Sequence, residues 1–211
     1  MTKTVISYML LLLGLFLINN VTVIGQQRVN ILFEGCRLTF DSEDVATDSL
    51  FFEQIQKQDT VVVEFYPSNV AVEGIDFTIV PTASTQTIQI FQSYETSMTL
   101  MNEGPHLDLM DWKHHHSEWQ PLELKNKHAQ SQIIDQTNGA NFPFVLPHEI
   151  VEAVRSLTEE AHWIELAKQC ESPHHYPCGV GFSRLYFKLI LTDKHHQKRT
   201  KYVVFELAMG C

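Results

Sequence analysis

One stretch of this chain carries a clear helical period. From Pro147 to Gln169 the apolar residues Ile150, Val154, Leu157, Ala161, Ile164 and Ala167 recur every three or four positions, which lines them up in a single stripe. Pro147 suits the first helical position. Glu149 and Glu152 sit near the positive end of the helix dipole, and Lys168 near the negative end. The spacing predicts one long amphipathic helix over 147–169, with Ser156 and Thr158 as possible caps if the stripe breaks. Such a helix needs an apolar surface to cover, and most of the remaining sequence reads as strand.

Val29, Ile31 and Phe33 alternate within Arg28 to Phe40, and Thr60 to Tyr66 (TVVVEFY) stops at the turn signal Pro67-Ser68-Asn69. Val70 to Val80 is the expected hairpin partner of that strand. Ile88, Ile90, Tyr94, Met98 and Leu100 mark a half-buried strand, with a slip near Phe91 that reads as a bulge. The acidic stretch between Phe40 and Asp59 is open to either a short helix or a loop. Gly181 to Thr192 and Lys201 to Met209 flank a polar, basic segment, giving a closing C-terminal β-hairpin. The expected fold class is therefore α+β: an antiparallel β-sheet packed by one long helix over 147–169 and finished by that hairpin.

Residues 1–25 read as a leader: Lys3, an apolar run from Val5 to Ile18, the polar pair Asn19-Asn20, and a cut before Gln26. An uncleaved membrane anchor over Val5 to Ile24 is the alternative. Cleavage leaves a single α+β domain over 26–211, two-lobed if a seam falls near 124–141, in a secreted or periplasmic protein. Export agrees with the four cysteines, which pair best as Cys170 with Cys178 and Cys36 with Cys211. The chain carries 15 basic and 25 acidic residues, net −10, so nucleic acid is not an expected partner.

All 11 histidines lie between His106 and His196. The densest run is EGPHLDLMDWKHHHSE, from Glu103 to Glu118. If Leu107 and Leu109 point inward, His106 and Asp108 share the opposite face, and His114 and His116 share a face with His115 turned away. Imidazole and carboxylate together form a ligand set for a divalent metal such as zinc, with Glu103 available as a general base. A second cluster, His174, His175 and Tyr176, lies between Cys170 and Cys178, where a disulfide would hold it rigid. Lys194 to Arg199 places His195 and His196 on the hairpin tip.

His148-Glu149-Ile150-Val151-Glu152 begins like a zinc-protease helix but has Glu152 where the second histidine is needed, and no nucleophile elbow or phosphate loop occurs. The expected function is that of a binding or interaction module for an unknown protein or envelope ligand. Trp112, Trp119, His174, His175 and Tyr176 are its contact residues. The alternative is a metal-dependent hydrolase using His106, Asp108, His114 or His116.

Overall fold

The computed structural model describes residues 27–42, 51–65, 75–132, 134, 140–207 and 209. The leader reading of residues 1–25 falls outside them. Among the described residues eleven strands form two sheets. The first has the order β3 (Phe51–Gln56), β1 (Gln27–Phe33), β2 (Cys36–Ser42), β5 (Asp76–Pro81), β9 (His128–Gln130). The second runs β4 (Thr60–Phe65), β11 (Lys198–Leu207), β10 (Cys178–Asp193), β6 (Thr85–Met101), β7 (His106–His116), and β8 (Gln120–Leu122) also pairs with β6. Pairing is antiparallel except for β1 with β3 and β4 with β11.

The two sheets pack face to face because every second residue of their strands is apolar. Val29, Ile31, Leu38, Phe40, Phe77 and Ile79 from one sheet meet Val63, Leu185, Phe187, Leu189, Val203 and Phe205 from the other in one buried cluster. Phe77 crosses edge-to-face onto Phe187 at 4.5 Å, and Phe40 onto Phe205 at 5.0 Å, so aromatic pairs join the layers. The six-stranded sheet is longer than its partner, since β6 has 17 residues and β10 has 16. On the overhanging part of the same inner face, Met98, Leu100 and Leu109 form a second core. Helices α1 (Pro147–Leu157) and α2 (Ala161–Ala167) cover it, with the Cys170–Cys178 disulfide at its margin.

The described residues are thus mostly β, two sheets with two short helices, which corrects the expected α+β class. Among the described residues no long helix packs across the sheet. The predicted 147–169 helix ends at Leu157 because Thr158 is extended (φ −147°, ψ 147°) and its hydroxyl takes the Glu160 N–H at 3.2 Å, a local bond that competes with helix propagation. The buried set then differs from the stripe. Ile150, Ala153 and Val154 are buried in α1, Leu157 is 55% exposed, and Trp163 takes the core position in α2.

Other expectations shift as well. β4 and β5 lie in different sheets, so the predicted hairpin between 60–66 and 70–80 does not form; β4 finds a longer apolar partner in β11. Phe51–Gln56, read as helix or loop, is a strand parallel to β1. From Ile88 to Leu100 β6 keeps one alternation, and Phe91 simply faces outward; the irregularities of its ladder with β10 lie elsewhere, at Ser183 of β10 and at Gln86 of β6. Cys170 and Cys178 are bonded as expected. Cys36 is fully buried in the sandwich as a free thiol among the described residues, and Cys211, its expected partner, lies outside them. Burial, offset in part by Lys201, pushes the Cys36 thiol up to about 11.

The β1–β2 turn is Glu34-Gly35, with Gly35 at φ +111°. Its carbonyl takes three bonds, from Thr82 N–H at 2.9 Å, Thr85 Oγ1 at 2.7 Å and Thr82 Oγ1 at 3.2 Å. A Cβ there would lie 2.9 Å from Leu191 Cδ1. Gly35→Ala is expected to cost about 2 kcal/mol, from the left-handed backbone and that contact together; urea denaturation of the two proteins checks it.

Candidate functional site

The outer face of the six-stranded sheet, turned away from the five-stranded one, carries a cluster of charged and aromatic side chains. Two irregularities meet at its middle. In β10, Ser183 is extra between Phe182, opposite Thr96, and Arg184, opposite Glu95. In β7 the pairing jumps from His114, opposite Ser97, to Leu109, opposite Met98. Bulges re-aim side chains, and here they turn Ser183 and Asp111 onto the same patch as Glu95.

Glu95 is the centre of that patch, and its side chain is only 3% exposed. Oε1 accepts from Arg184 at 3.1 Å and from Ser183 Oγ at 3.3 Å, Oε2 accepts from the Tyr186 hydroxyl at 2.7 Å, and His114 Nε2 stands 3.9 Å away. Ser97 donates in turn to Ser183 at 2.8 Å. Arg184 also donates to Asp111 at 2.9 Å and to Glu206 at 3.1 Å, so one guanidinium faces three carboxylates. Burial works against the Arg184 charge, but the bonds to Asp111 and Glu206 and the charge of Glu95 outweigh it and raise its pKa. Burial and the bond donated to Glu95 push the Tyr186 phenol well above its usual range.

His106 and Asp108 do share the outer face of β7, and Leu109 is buried behind them. Asp108 Oδ1 lies 2.9 Å from His106 Nδ1 and accepts from Thr99 Oγ1 at 2.7 Å. The carboxylate therefore orients the imidazole and leaves Nε2 as the ring's free nitrogen, an arrangement of orienter and base or ligand. His114 and His116 are on the same face, opposite Ser97 and Glu95. His106 and His114 are four ladder positions apart, roughly 13 Å. Among the described residues no group of three or more His, Cys, Asp or Glu side chains is close enough to hold a metal ion. Glu103 is exposed in the β6–β7 turn.

Trp119 lies on the outer face, with ring centroids 5.8 Å from His116, 6.4 Å from Tyr186 and 6.2 Å from Tyr202. Lys188 Nζ sits 4.2 Å from the Trp119 ring and 4.8 Å from Phe91. Trp112 instead turns to the inner face, against the helical core. The neighbouring Lys113 reaches Glu149 of α1 at 2.7 Å; that bond and the Leu146 N–H hold the Glu149 carboxyl below its usual range.

His174, His175 and Tyr176 are exposed on the stapled loop, with Ser172 Oγ 2.7 Å from His175 Nδ1. The Pro177 carbonyl accepts from Met101 N–H at 2.8 Å, which docks this loop beside the β6–β7 turn. The hairpin tip with His195 and His196 is at the other end of β10, roughly 50 Å away. The structure thus brings the 103–108 segment and the stapled loop to one end and leaves the tip apart.

Sequence reasoning missed Glu95, Arg184, Tyr186 and Glu206. Their signal was present: Arg184, Tyr186 and Lys188 alternate with the apolar Leu185, Phe187 and Leu189, and polar positions of that kind read as an ordinary solvent face. The chain matches no protein-family model and no curated protein.

Proposed function

We propose that the protein is an exported binding module whose contact surface is the outer face of the six-stranded sheet, and that its occupant is a protein partner bearing basic side chains. The observation that carries this reading is the buried Glu95 held under Arg184 and Tyr186 in the middle of a sheet face that no other described element covers. A face with only solvent above it gains nothing from such a network, whereas an interface gains fixed positions for charge and shape. Trp119, Tyr186, Tyr202 and Arg184 are of the types that dominate binding energy at interfaces. Asp108, Asp111, Glu206 and Glu95 outnumber Arg184 and Lys188, which favours a basic partner. The Cys170–Cys178 disulfide and the leader-like N-terminus support export.

The second reading, a zinc-dependent hydrolase, draws on the pairing of His106 with Asp108 and Thr99. The two readings separate in one set of measurements. Partners crosslinked to the untagged wild-type protein in extracts of its own cells are expected to be lost when Trp119→Ala and Tyr202→Ala are combined, and kept with Thr78→Val on the other sheet. Retention by the tryptophan–tyrosine variant would sink the binding face. Zinc present at one equivalent and lost on His106→Ala would replace it with the hydrolase.

A further inference from the structure

A second surface, on the far side of the sandwich and independent of the face above, has the form of a ligand site. The outer face of the five-stranded sheet is walled by the segment from Leu122 to Gln132, which encloses a concavity of about 990 Å³. Its floor is a row of four polar side chains in register: Asn30 of β1 opposite Thr39 of β2, Thr39 opposite Thr78 of β5, and Thr78 opposite His128 of β9. Thr39 Oγ1 donates to Asn30 Oδ1 at 2.9 Å, and Thr78 Oγ1 is 3.2 Å from His128 Nδ1. These bonds fix the rotamers and leave the Asn30 amide N–H₂, the second His128 nitrogen and hydroxyl lone pairs to face a ligand.

The wall is held in place from both sheets. Gln92, buried in β6, clamps the Gln132 backbone in both directions, accepting its N–H at 2.8 Å and donating to its carbonyl at 3.1 Å. Ser131 N–H donates to the Ile75 carbonyl at 2.9 Å, and Ile79 N–H to the Lys127 carbonyl at 2.7 Å. At the tip, Asn126 and Lys127 are both at positive φ, 49° and 72°, the backbone required by the two-residue hairpin turn that Lys125 and His128 close with reciprocal 2.8 Å bonds.

The lining selects the ligand's chemistry. Arg37 and Lys125 are balanced by Asp76 and Glu123, and Lys125 is already paired with Glu123 at 2.8 Å, so no net charge attracts an ion. Val80, 38% exposed, is the large apolar side chain open to solvent there, too little for a lipid or an apolar peptide side chain. The backbones of β2 and β5 are paired on both sides, so an extended peptide finds no ladder to join over this floor. What fits is a ligand with many hydroxyls, no charge, and a length matching strands spaced about 4.8 Å apart.

We infer that this concavity binds a neutral polyhydroxylated ligand, with sugar rings laid across the row from Asn30 to His128. The full chain, isotopically labelled, is titrated with glucose, mannose and galactose, and with the neutral hexasaccharides maltohexaose, cellohexaose and mannohexaose. Saturable amide shifts confined to β1, β2, β5, β9 and the 122–132 wall are expected, unchanged when salt is raised about tenfold. Tighter binding of a hexasaccharide identifies a glycan chain as the source, and equal binding of a monosaccharide identifies a free sugar. Thr78→Val and Asn30→Leu are expected to weaken binding at least about tenfold, the loss of one to two good hydrogen bonds, while Trp119→Ala leaves it unaltered. Absence of saturable shifts with all six sugars, or shifts that map to the six-stranded sheet, would overturn the inference. Because the map is read on the wild-type protein, it decides the question even if a variant fails to fold.

Discussion

Arg184→Met is expected to lower the stability of the protein by about 3–5 kcal/mol, because it removes the cation from a carboxylate that has no access to water. For a chain of this size that is a fall in Tm of roughly 10 °C. Glu95 is the reason for the size of the effect: Asp111 and Glu206 are more open and can return to solvent, whereas Glu95 keeps only Tyr186, Ser183 and the more distant His114. Glu95→Gln should cost less, about 1–2 kcal/mol, since the amide still accepts from Tyr186 and Arg184 keeps two carboxylates. Replacing both residues by leucine should recover part of the loss. Urea denaturation of the three variants measures this cycle. A cost below about 1 kcal/mol for Arg184→Met would mean that water reaches Glu95 and that the network is an ordinary surface one.

Phe77→Ala is expected to cost about 3–5 kcal/mol by deleting the ring that joins the two sheets. Phe77 is 1% exposed and stacks edge-on against Phe187, with Phe40 at 5.9 Å. The loss should also be felt far from the cavity. β6 and β10 run through both cores, so Trp163 in the helical core is tied to the sandwich by continuous strands. Fluorescence and far-ultraviolet circular dichroism should therefore give one coincident thermal transition in the variant as in the parent. Two separated transitions would show that the helical end unfolds on its own.

Strand alternation was legible wherever a run was long enough to show it. The β10–β11 hairpin and the facing of His106 with Asp108 followed from the two-residue period alone. The helix was misjudged for a reason the period does not contain. Leu157 and Ala161 fit the stripe, but the sheet end beneath them accommodates two short helices, and Trp163 fills the space better. Partner choice was also out of reach: β4 carries the same apolar pattern whether it pairs with β5 or with β11, and only the assembled sheet decides. Glu95 was hidden for a related reason. A carboxylate in a strand of alternating pattern signals solvent, and its burial depends on Arg184 and Tyr186, about ninety residues later in the chain.

The parallel pairing of β4 with β11 sets an order in time. Asp59 and Lys201 form an ion pair across 142 residues of chain, and the strands beside them add six ladder positions at the same separation. During synthesis the β1–β2 hairpin can close as soon as it emerges, but β4 must wait with its valines uncovered until β11 has been made. The sandwich is therefore completed only once β11 has emerged, and through that interval the half-made chain depends on whatever shields an apolar strand without a partner.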